Sequence, residues 1–425
     1  MIYLKNFMRN FLDKSKWKFL IFFSILWPGI INAIVNNDAG SLATYTIASA
    51  TFGMASKFLI IPETFILAIT QEIGVRIAIV TKKGLGDLIR ERYGIGISLL
   101  IFVLYFIINQ GVVTQNVSGL KTSLQIFNVN WQFFLILTCF FLIAFVIFFD
   151  YKKLQRLFLV MFLFYLSYIF SAILSKPNWF EVAKESFFWP TKINIFDLNF
   201  WFSRIAVLGT TVTAWGQFFI HSYIIDKKLD FRHLKYERLE VFVGAFLTNL
   251  FSWIMVIAVT YTLFIQNVKV NDGYSAALAI KPFAGEAAFL FFAIGLFFSS
   301  ILGLTIIPLA TAYVFAEIFG YEGSLDNSFS KGKIFYGFFI FQILIALLIN
   351  LFPSISLFKL TLYVDFLNGA ILPVIFYFLV KFSEDKEIMG SYVISRFSRI
   401  LIRFSAIVIS ILVILIFFGK ILKLV

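Results

Sequence analysis

The chain has 425 residues, of which 60% are hydrophobic and only 14% charged, and its mean hydropathy is +0.92. Soluble globular domains carry about 25% charged residues, so that class is excluded. The net charge of +13 is no nucleic-acid signal either, because the basic residues collect in alternate loops between apolar runs, as the positive-inside rule requires of a polytopic membrane protein.

In chain order the apolar runs cover roughly 18–49, 55–80, 95–120, 131–149, 155–175, 199–225, 238–266, 286–318, 334–351, 355–381 and 399–420, each of bilayer length. They predict an all-α integral membrane protein of eleven transmembrane helices, forming one domain over residues 1–425. Lys and Arg concentrate at 5–18, 81–92, 150–156, 226–238, 331–333 and 381–403, which places the N-terminus and these loops in the cytoplasm. An odd number of spans then puts the C-terminus outside. The expected location is the cell membrane, with multiple passes through the lipid bilayer, no nucleic-acid partner and a monomeric state. The first run is too long for a cleavable leader and continues past its break, so it is expected to act as the insertion signal. Residues 84–93 are amphipathic and predict a short interfacial helix. The loop 176–198 carries "KPNWF" and "FFWP", aromatic residues suited to the outer interface. Cys139 can form no internal disulfide and reads as core filler.

Two of these spans are interrupted. The first contains Asn37-Asp38-Ala39-Gly40-Ser41, and the sixth contains "GTTVTAWGQ" at 209–217. Five spans separate the starts of the two elements, and an odd offset inverts direction, so the two halves run with opposite topology. Paired broken helices in inverted halves point to a transport site, because unwound backbone at bilayer depth is tolerated only where it lines a polar cavity. Freed carbonyls there can ligate a cation, and half-helix ends add their dipoles. Asp38, an anion in the first break, reads as a cation ligand. It can at the same time cap the half-helix that follows.

"WPGIINAIVNNDAGSLATYTIASATFG" with "GLGDLIRERYG" resembles the Nramp divalent-metal transporters, whose first span carries an Asp-Pro-Gly-Asn break. Further along, "GTTVTAWGQFFIHSYIIDK", "YERLEVFVGAFLTNLFSW", "SAALAIKPFAGEAAFLFFAIGL", "IPLATAYVFAEIFGYEGSLD" and "LNGAILPV" resemble the Nramp-related magnesium transporter branch. The likeness runs collinearly over about residues 20–380. It implies a LeuT-type fold with broken helices 1 and 6. The first repeat would span 18–175, the second, inverted repeat 199–381, and an added helix 399–420. The metal would sit between the two breaks, with Asp38 and Ser41 at the positions of the Asp and Asn of the Nramp break. Thr210 takes a position that offers its carbonyl, and Thr213 takes that of the Nramp methionine. Asn37 and Gln217, within the two breaks, are counted with the surrounding polar residues or the pathway.

The departures from the Nramp pattern concern the metal. Thr213 removes the soft sulfur, and Ala214 and Trp215 replace a Pro-His pair, so an imidazole is missing as well. Trp215 either narrows the cavity or packs. None of the methionines, at 1, 8, 54, 161, 255 and 389, falls near the breaks. Oxygen-only sites suit Mg²⁺, Ca²⁺ and Mn²⁺, and Mg²⁺ usually keeps several waters. The third span has no acid, and Asn116 stands where relatives often have a carboxylate. In the tenth span Asp365 replaces a glutamine, with Asn368 one turn away on the same face. Asp365 is either a second ligand or acceptor for hydrated metal, or a carboxylate satisfied near a span end. His221, two turns beyond Thr213, matches a family histidine and is a pathway candidate or a structural hydrogen-bonder.

The resemblance therefore implies a secondary transporter of divalent cations by alternating access, Mg²⁺ first and Mn²⁺ second, with no cofactor beyond the transported ion. With the acids of the third span gone, transport is expected not to be proton-coupled. The alternatives are a proton-coupled Mn²⁺/Fe²⁺ symporter of Nramp type, or an organic-solute transporter on the same fold, which a central aspartate opposes when the solute is anionic. An enzyme is not expected, because Asp-x-x-x-Asp repeats, a His-Glu-x-x-His motif and paired Ser and His are all missing. Elsewhere, Arg204 is expected to snorkel or pair with an acid, Glu72 and Arg76 to pair within their helix, and His233 to lie in a loop. Glu317 and Glu322 are expected at a solvated helix end, with gating of the inner vestibule as the alternative, and Asn249 in a helix–helix hydrogen bond rather than on the metal.

Overall fold

A computed structural model describes residues 36–148, 172–188, 196–268, 273–325, 327–352 and 357–421, with a few single positions between them. Every regular element among the described residues is helical, as expected where lipid leaves each backbone group to be satisfied within its own segment. The N-terminal half of the first predicted span and nearly all of the fifth, 155–175, lie outside the described residues.

The first described helix, α1 (Ala39–Phe52), starts at the predicted break, capped by Asp38 in an extended conformation. A 3-10 turn at Gly53–Lys57 leads to α2 (Ile60–Thr81). Next, α3 runs over Leu85–Ile126. The amphipathic stretch predicted as a short helix forms a helix of its own at the start of this range. It joins the span through Gly94, whose φ of 80° and ψ of 172° break the helical path where a residue with a Cβ would be strained. Then come α4 (Trp131–Phe148) and, in the loop predicted outside, the short α5 (Trp179–Phe187), whose N-cap Asn178 accepts from the amides of Phe180 and Glu181.

The sixth span is two helices, α6 (Leu198–Thr211) and α7 (Ala214–Asp226), separated by Val212 and Thr213. It is followed by α8 (Leu234–Val259), which ends in a π-helical turn over Thr260–Phe264. The long α9 (Gly273–Phe319) begins well before the predicted 286. The remaining helices are α10 (Lys333–Leu351), α11 (Leu357–Glu384), the single turn α12 (Lys386–Met389) and α13 (Arg396–Ile421).

Burial separates the helices into two classes. The apolar stretches of α4 and α13 are only 28% and 22% buried, whereas that of α9 is 78% buried. Phe140, Phe141, Phe404, Ile407 and Phe417 all point outward, which suits hydrocarbon as solvent and would be a liability in water. Inside, α1 packs against α3, α6, α8, α9 and α11. The contact of α6 with α11 is closest at two glycines. A Cβ on Gly209 would lie 2.2 Å from the Asp365 carbonyl oxygen, and one on Gly369 would lie 2.5 Å from that of Ile205. Backbone therefore meets backbone there, which carries the Asp365 side chain to the end of α6.

Candidate divalent-cation site

The first break is organised by Asp38. One carboxylate oxygen, Oδ1, accepts from the Ser41 amide at 2.9 Å and from the Ser41 hydroxyl at 2.8 Å. The first of these is an ordinary N-cap bond that satisfies an orphan donor of α1. Oδ2 accepts from Asn116 Nδ2 at 2.7 Å, and Asn116 Oδ1 in turn accepts from the Ala39 amide at 3.3 Å. Asn116 is oriented by a second bond from Nδ2 to the Val112 carbonyl and by Gly303, where an added Cβ would come within 2.2 Å of its Oδ1. The residue that stands in sequence where an acid is looked for thus holds the one aspartate of the break by its amide.

The second break is organised by neutral groups. Thr213 Oγ1 caps α7 by accepting from the Gly216 amide at 3.2 Å. The Ala214 amide, which a continuous helix would give to the Thr210 carbonyl, instead donates to Asn368 Oδ1 at 2.9 Å. The Thr210 carbonyl therefore sits among the helix-end carbonyls that lack an intrahelical donor. The Thr210 hydroxyl is engaged as well, 2.7 Å from Ser41 Oγ, and it reaches the Asp365 carboxylate on the other side. Asp365 also accepts from the hydroxyl of Thr44 and, at 3.1 Å, from Gln115 Nε2.

These bonds form a continuous chain, Asp38–Ser41–Thr210–Asp365, across the two breaks. Both carboxylates are buried, at 4% and 1% exposure. Among the described residues, every partner of either one is a hydroxyl or an amide, and no cation pairs with them. A third buried carboxylate, Glu63, shows the usual solution: Lys57 lies 3.0 Å from one of its oxygens and Arg204 3.3 Å from the other. Burying a charge is costly unless it is compensated, and the two site aspartates lack the compensation that Glu63 has.

Other predicted residues fall around this core. Asn37 Nδ2 donates to the Thr248 carbonyl of α8 at 3.3 Å. Trp215 is buried and packs near Phe219. His221 Nδ1 lies 3.0 Å from the Gln217 carbonyl oxygen, and among the described residues the ring makes no hydrogen bond to either aspartate. Among the described residues, His221 Nε2, both amide atoms of Gln217 and both of Asn36 are buried without a hydrogen-bond partner. Buried polar atoms in native proteins nearly always have one, water included.

Several expectations are met or corrected at this level. Arg204 pairs with Glu63, Arg76 with Glu72, and His233 with Asp230 in its loop. Glu317 is not at a solvated end: it accepts from the Ser222 hydroxyl at 2.7 Å and from the Gly86 amide at 3.0 Å, tying α9 to α7 and to the start of α3. Asn249 donates within its own helix, to the Ala245 carbonyl, because its amide points along α8. Thr44 and Gln115 were missed. Thr44 is three residues beyond Ser41 and so shares its helix face, a signal available once Ser41 was singled out. Gln115 has no such pointer beyond lying next to Asn116.

A half-helix that starts at Asp38, set beside a sixth span broken at Val212 and Thr213, with both facing a buried polar centre, defines a multi-pass membrane protein of LeuT type. The solved structures bear out that fold. The Eremococcus coleocola manganese transporter, in complex with an aromatic bis-isothiourea substituted compound, superposes with a TM-score of 0.70 at 17% identity, over 94% of this chain and 86% of that one. MhsT in complex with L-phenylalanine gives a TM-score of 0.59 at 14% identity, over 92% of this chain and 98% of that one. The sequence model of the natural resistance-associated macrophage protein-like family, Nramp, matches residues 29–419, and the chain belongs to that family. The divalent metal cation transporter MntH of Staphylococcus haemolyticus (strain JCSC1435) is 24% identical over 225 residues, a match that spans 52% of this chain and about half, 49%, of that relative.

Proposed function

We propose that this chain carries divalent cations across the membrane by alternating access, with Mg²⁺ preferred and Mn²⁺ second, and without proton coupling. The observation that carries the reading is the pair of buried aspartates, Asp38 and Asp365, whose described partners are all neutral. Two carboxylates and a divalent ion neutralise one another, and the ion supplies the charge that Lys57 and Arg204 supply to Glu63.

The donor set supports a hard ion. Around the two breaks the candidate ligands are the carboxylates of Asp38 and Asp365, the hydroxyls of Ser41, Thr210 and Thr213, and the Thr210 carbonyl. None is sulfur or imidazole nitrogen, and oxygen-only sites favour Mg²⁺, Ca²⁺ or Mn²⁺ over softer metals. Among the described residues no three His, Cys, Asp or Glu side chains are grouped to hold a metal, which fits an ion that keeps part of its water shell. The unpartnered Asn36, Gln217 and His221 atoms extend the polar lining inward from the breaks and fit a hydrated path to the cytoplasm. We assign Asn37, Asn368 and Asn116 to holding the breaks open, and Trp215 and Ala214 to the wall of α7.

The absence of coupling rests on Asn116, which cannot titrate and occupies the second oxygen of Asp38 with an amide donor. Coupling is also dispensable. A divalent ion gains about 4.6 kcal/mol per 100 mV, twice the ~2.3 of one elementary charge. The family name and the printed names of the relatives favour divalent metal over organic solute, and the central aspartates disfavour an anionic solute.

The test is flux into proteoliposomes at an imposed negative potential, with Mg²⁺, Mn²⁺ and Ca²⁺ compared and a pH-sensitive dye in the lumen. The reading predicts Mg²⁺ uptake without acidification. Mn²⁺ uptake with stoichiometric acidification would replace it with the proton-coupled symporter, and Asp365 would then be the residue to examine.

A further inference from the structure

Between α11 and α13, on the outer surface of the bundle, lies a groove of about 410 Å³. Its walls are apolar over most of their length, formed by Pro373, Phe376 and Tyr377 on one side and Ala406, Ile407 and Ser410 on the other, and Arg403 stands at one end. Pro373 lies inside α11, where it can give no hydrogen bond to the preceding turn. Small residues on α13 and an interrupted ladder on α11 leave a slot that neither helix fills.

The charge at the Arg403 end is not balanced. Arg396, Arg399 and Arg403 are spaced by three and four residues and share a face of α13; the same face continues through Ala406 and Ser410 into the groove. Glu384 accepts two bonds from Arg403, at 2.8 and 2.7 Å, and lies 3.7 Å from Arg399. Over 381–403 five basic residues face three acidic ones, and two of those acids, Asp385 and Glu387, are already approached by Arg92 of α3. Arg403 is 55% exposed despite its pairing. The positive-inside rule accounts for basic residues in this loop, but not for their alignment with an apolar slot that begins where they end.

We propose that this groove is a binding site for an anionic phospholipid of the cytoplasmic leaflet. One acyl chain lies along Phe376, Ala406 and Ser410, and the phosphate sits among Arg396, Arg399 and Arg403. Basic clusters next to a membrane span attract anionic headgroups, and a slot for the chain fixes the lipid in one place. The same α11 carries Asp365 and Asn368 nearer its N-terminal end, so a lipid held here braces the helix that supplies the second carboxylate of the cation site.

The full-length protein, purified in detergent, is titrated with phosphatidylglycerol or with phosphatidylcholine of the same acyl chains, and retained lipid is counted by native mass spectrometry. One phosphatidylglycerol per chain is expected to stay bound under conditions that strip phosphatidylcholine. Arg399→Gln combined with Arg403→Gln should weaken its retention roughly thirtyfold, the effect of two arginines near an anionic surface. Ala406→Phe, which fills the slot and leaves the arginines intact, should also release the lipid. Glu384→Gln, which frees Arg403, should retain it more tightly. Equal retention of the two lipids, or unchanged retention in the arginine pair, overturns the proposal. The arginine pair decides the matter alone if Ala406→Phe does not fold, because these side chains lie at the surface.

Discussion

Two clusters of buried charge lie within a few turns of each other in this protein, and they are built on opposite principles. At the junction of α1, α2 and α6, Glu63 is held between Lys57 and Arg204, with Tyr45 beneath Lys57. Its carboxylate is compensated within the chain, by one cation on each oxygen. At the junction of α1, α6 and α11, the partners of Asp38 and Asp365 among the described residues are all hydroxyls and amides. The first cluster is complete as folded. The second is a pair of anions whose partners can orient them but cannot neutralise them. Hydrogen bonds to a carboxylate recover part of its lost hydration, and what they leave is an affinity for a cation. On the function proposed above, the contrast separates charge that stabilises the fold from charge that serves transport.

The comparison can be broken most directly at Asp38. Asp38→Ala should reduce Mg²⁺ uptake by more than ~100-fold, since stranding one member of a buried charge pair costs about 3–5 kcal/mol. The protein should still purify as a folded species, less the roughly 1 kcal/mol of the helix cap. Normal uptake by the folded variant would refute the assignment. Glu63→Gln should do the reverse. It leaves Lys57 and Arg204 buried without a carboxylate, so thermal stability should fall by an amount worth about 3–5 kcal/mol. The Mg²⁺/Mn²⁺ preference of whatever protein remains folded should not move, and a changed preference would make Glu63 part of the cation site.

Smaller effects sharpen the contrast. Asp365→Asn should lower Mg²⁺ affinity by about tenfold, equivalent to roughly 1.4 kcal/mol, because Thr44 and Gln115 can still satisfy an amide there. An unchanged affinity would make Asp365 a structural acceptor. Thr213→Met should shift the Mg²⁺/Mn²⁺ ratio a few-fold toward Mn²⁺ and Cd²⁺ by adding a thioether and displacing water. A ratio that does not move would restrict Thr213 to its observed role as the cap of α7.

How much of this was legible beforehand follows from the physics of lipid. The two breaks were readable because polar residues in a row, such as Asn37-Asp38, have no other reason to lie in an apolar run. Asp38, Ser41, Thr210 and Asp365 were each singled out, and they are joined by hydrogen bonds. The positioning role of Asn116 was not legible. In sequence it marks a missing acid, and only the crossing of α3 over the start of α1 turns it into a donor to Asp38. Glu317 was misread for a similar reason: a glutamate near a helix end looks solvated until α7 and the start of α3 close over it. The Lys57–Glu63–Arg204 cluster depends on residues 141 positions apart, and nothing local announces such a pairing.

The central claim, that a divalent cation completes the charge of the Asp38–Asp365 pair, is tested most directly by thermal unfolding of the purified protein across a Mg²⁺ series. The measurement compares the parent chain with the Asp38→Asn, Asp365→Asn double variant. A ligand that binds only the folded state raises stability with its concentration. The account predicts a melting temperature that climbs with Mg²⁺ in the parent. In the double variant it should be independent of Mg²⁺ and, without the ion, equal to or above that of the parent, since two uncompensated buried charges are gone. A variant that is less stable than the parent in the absence of Mg²⁺, yet responds to the ion as the parent does, would contradict it.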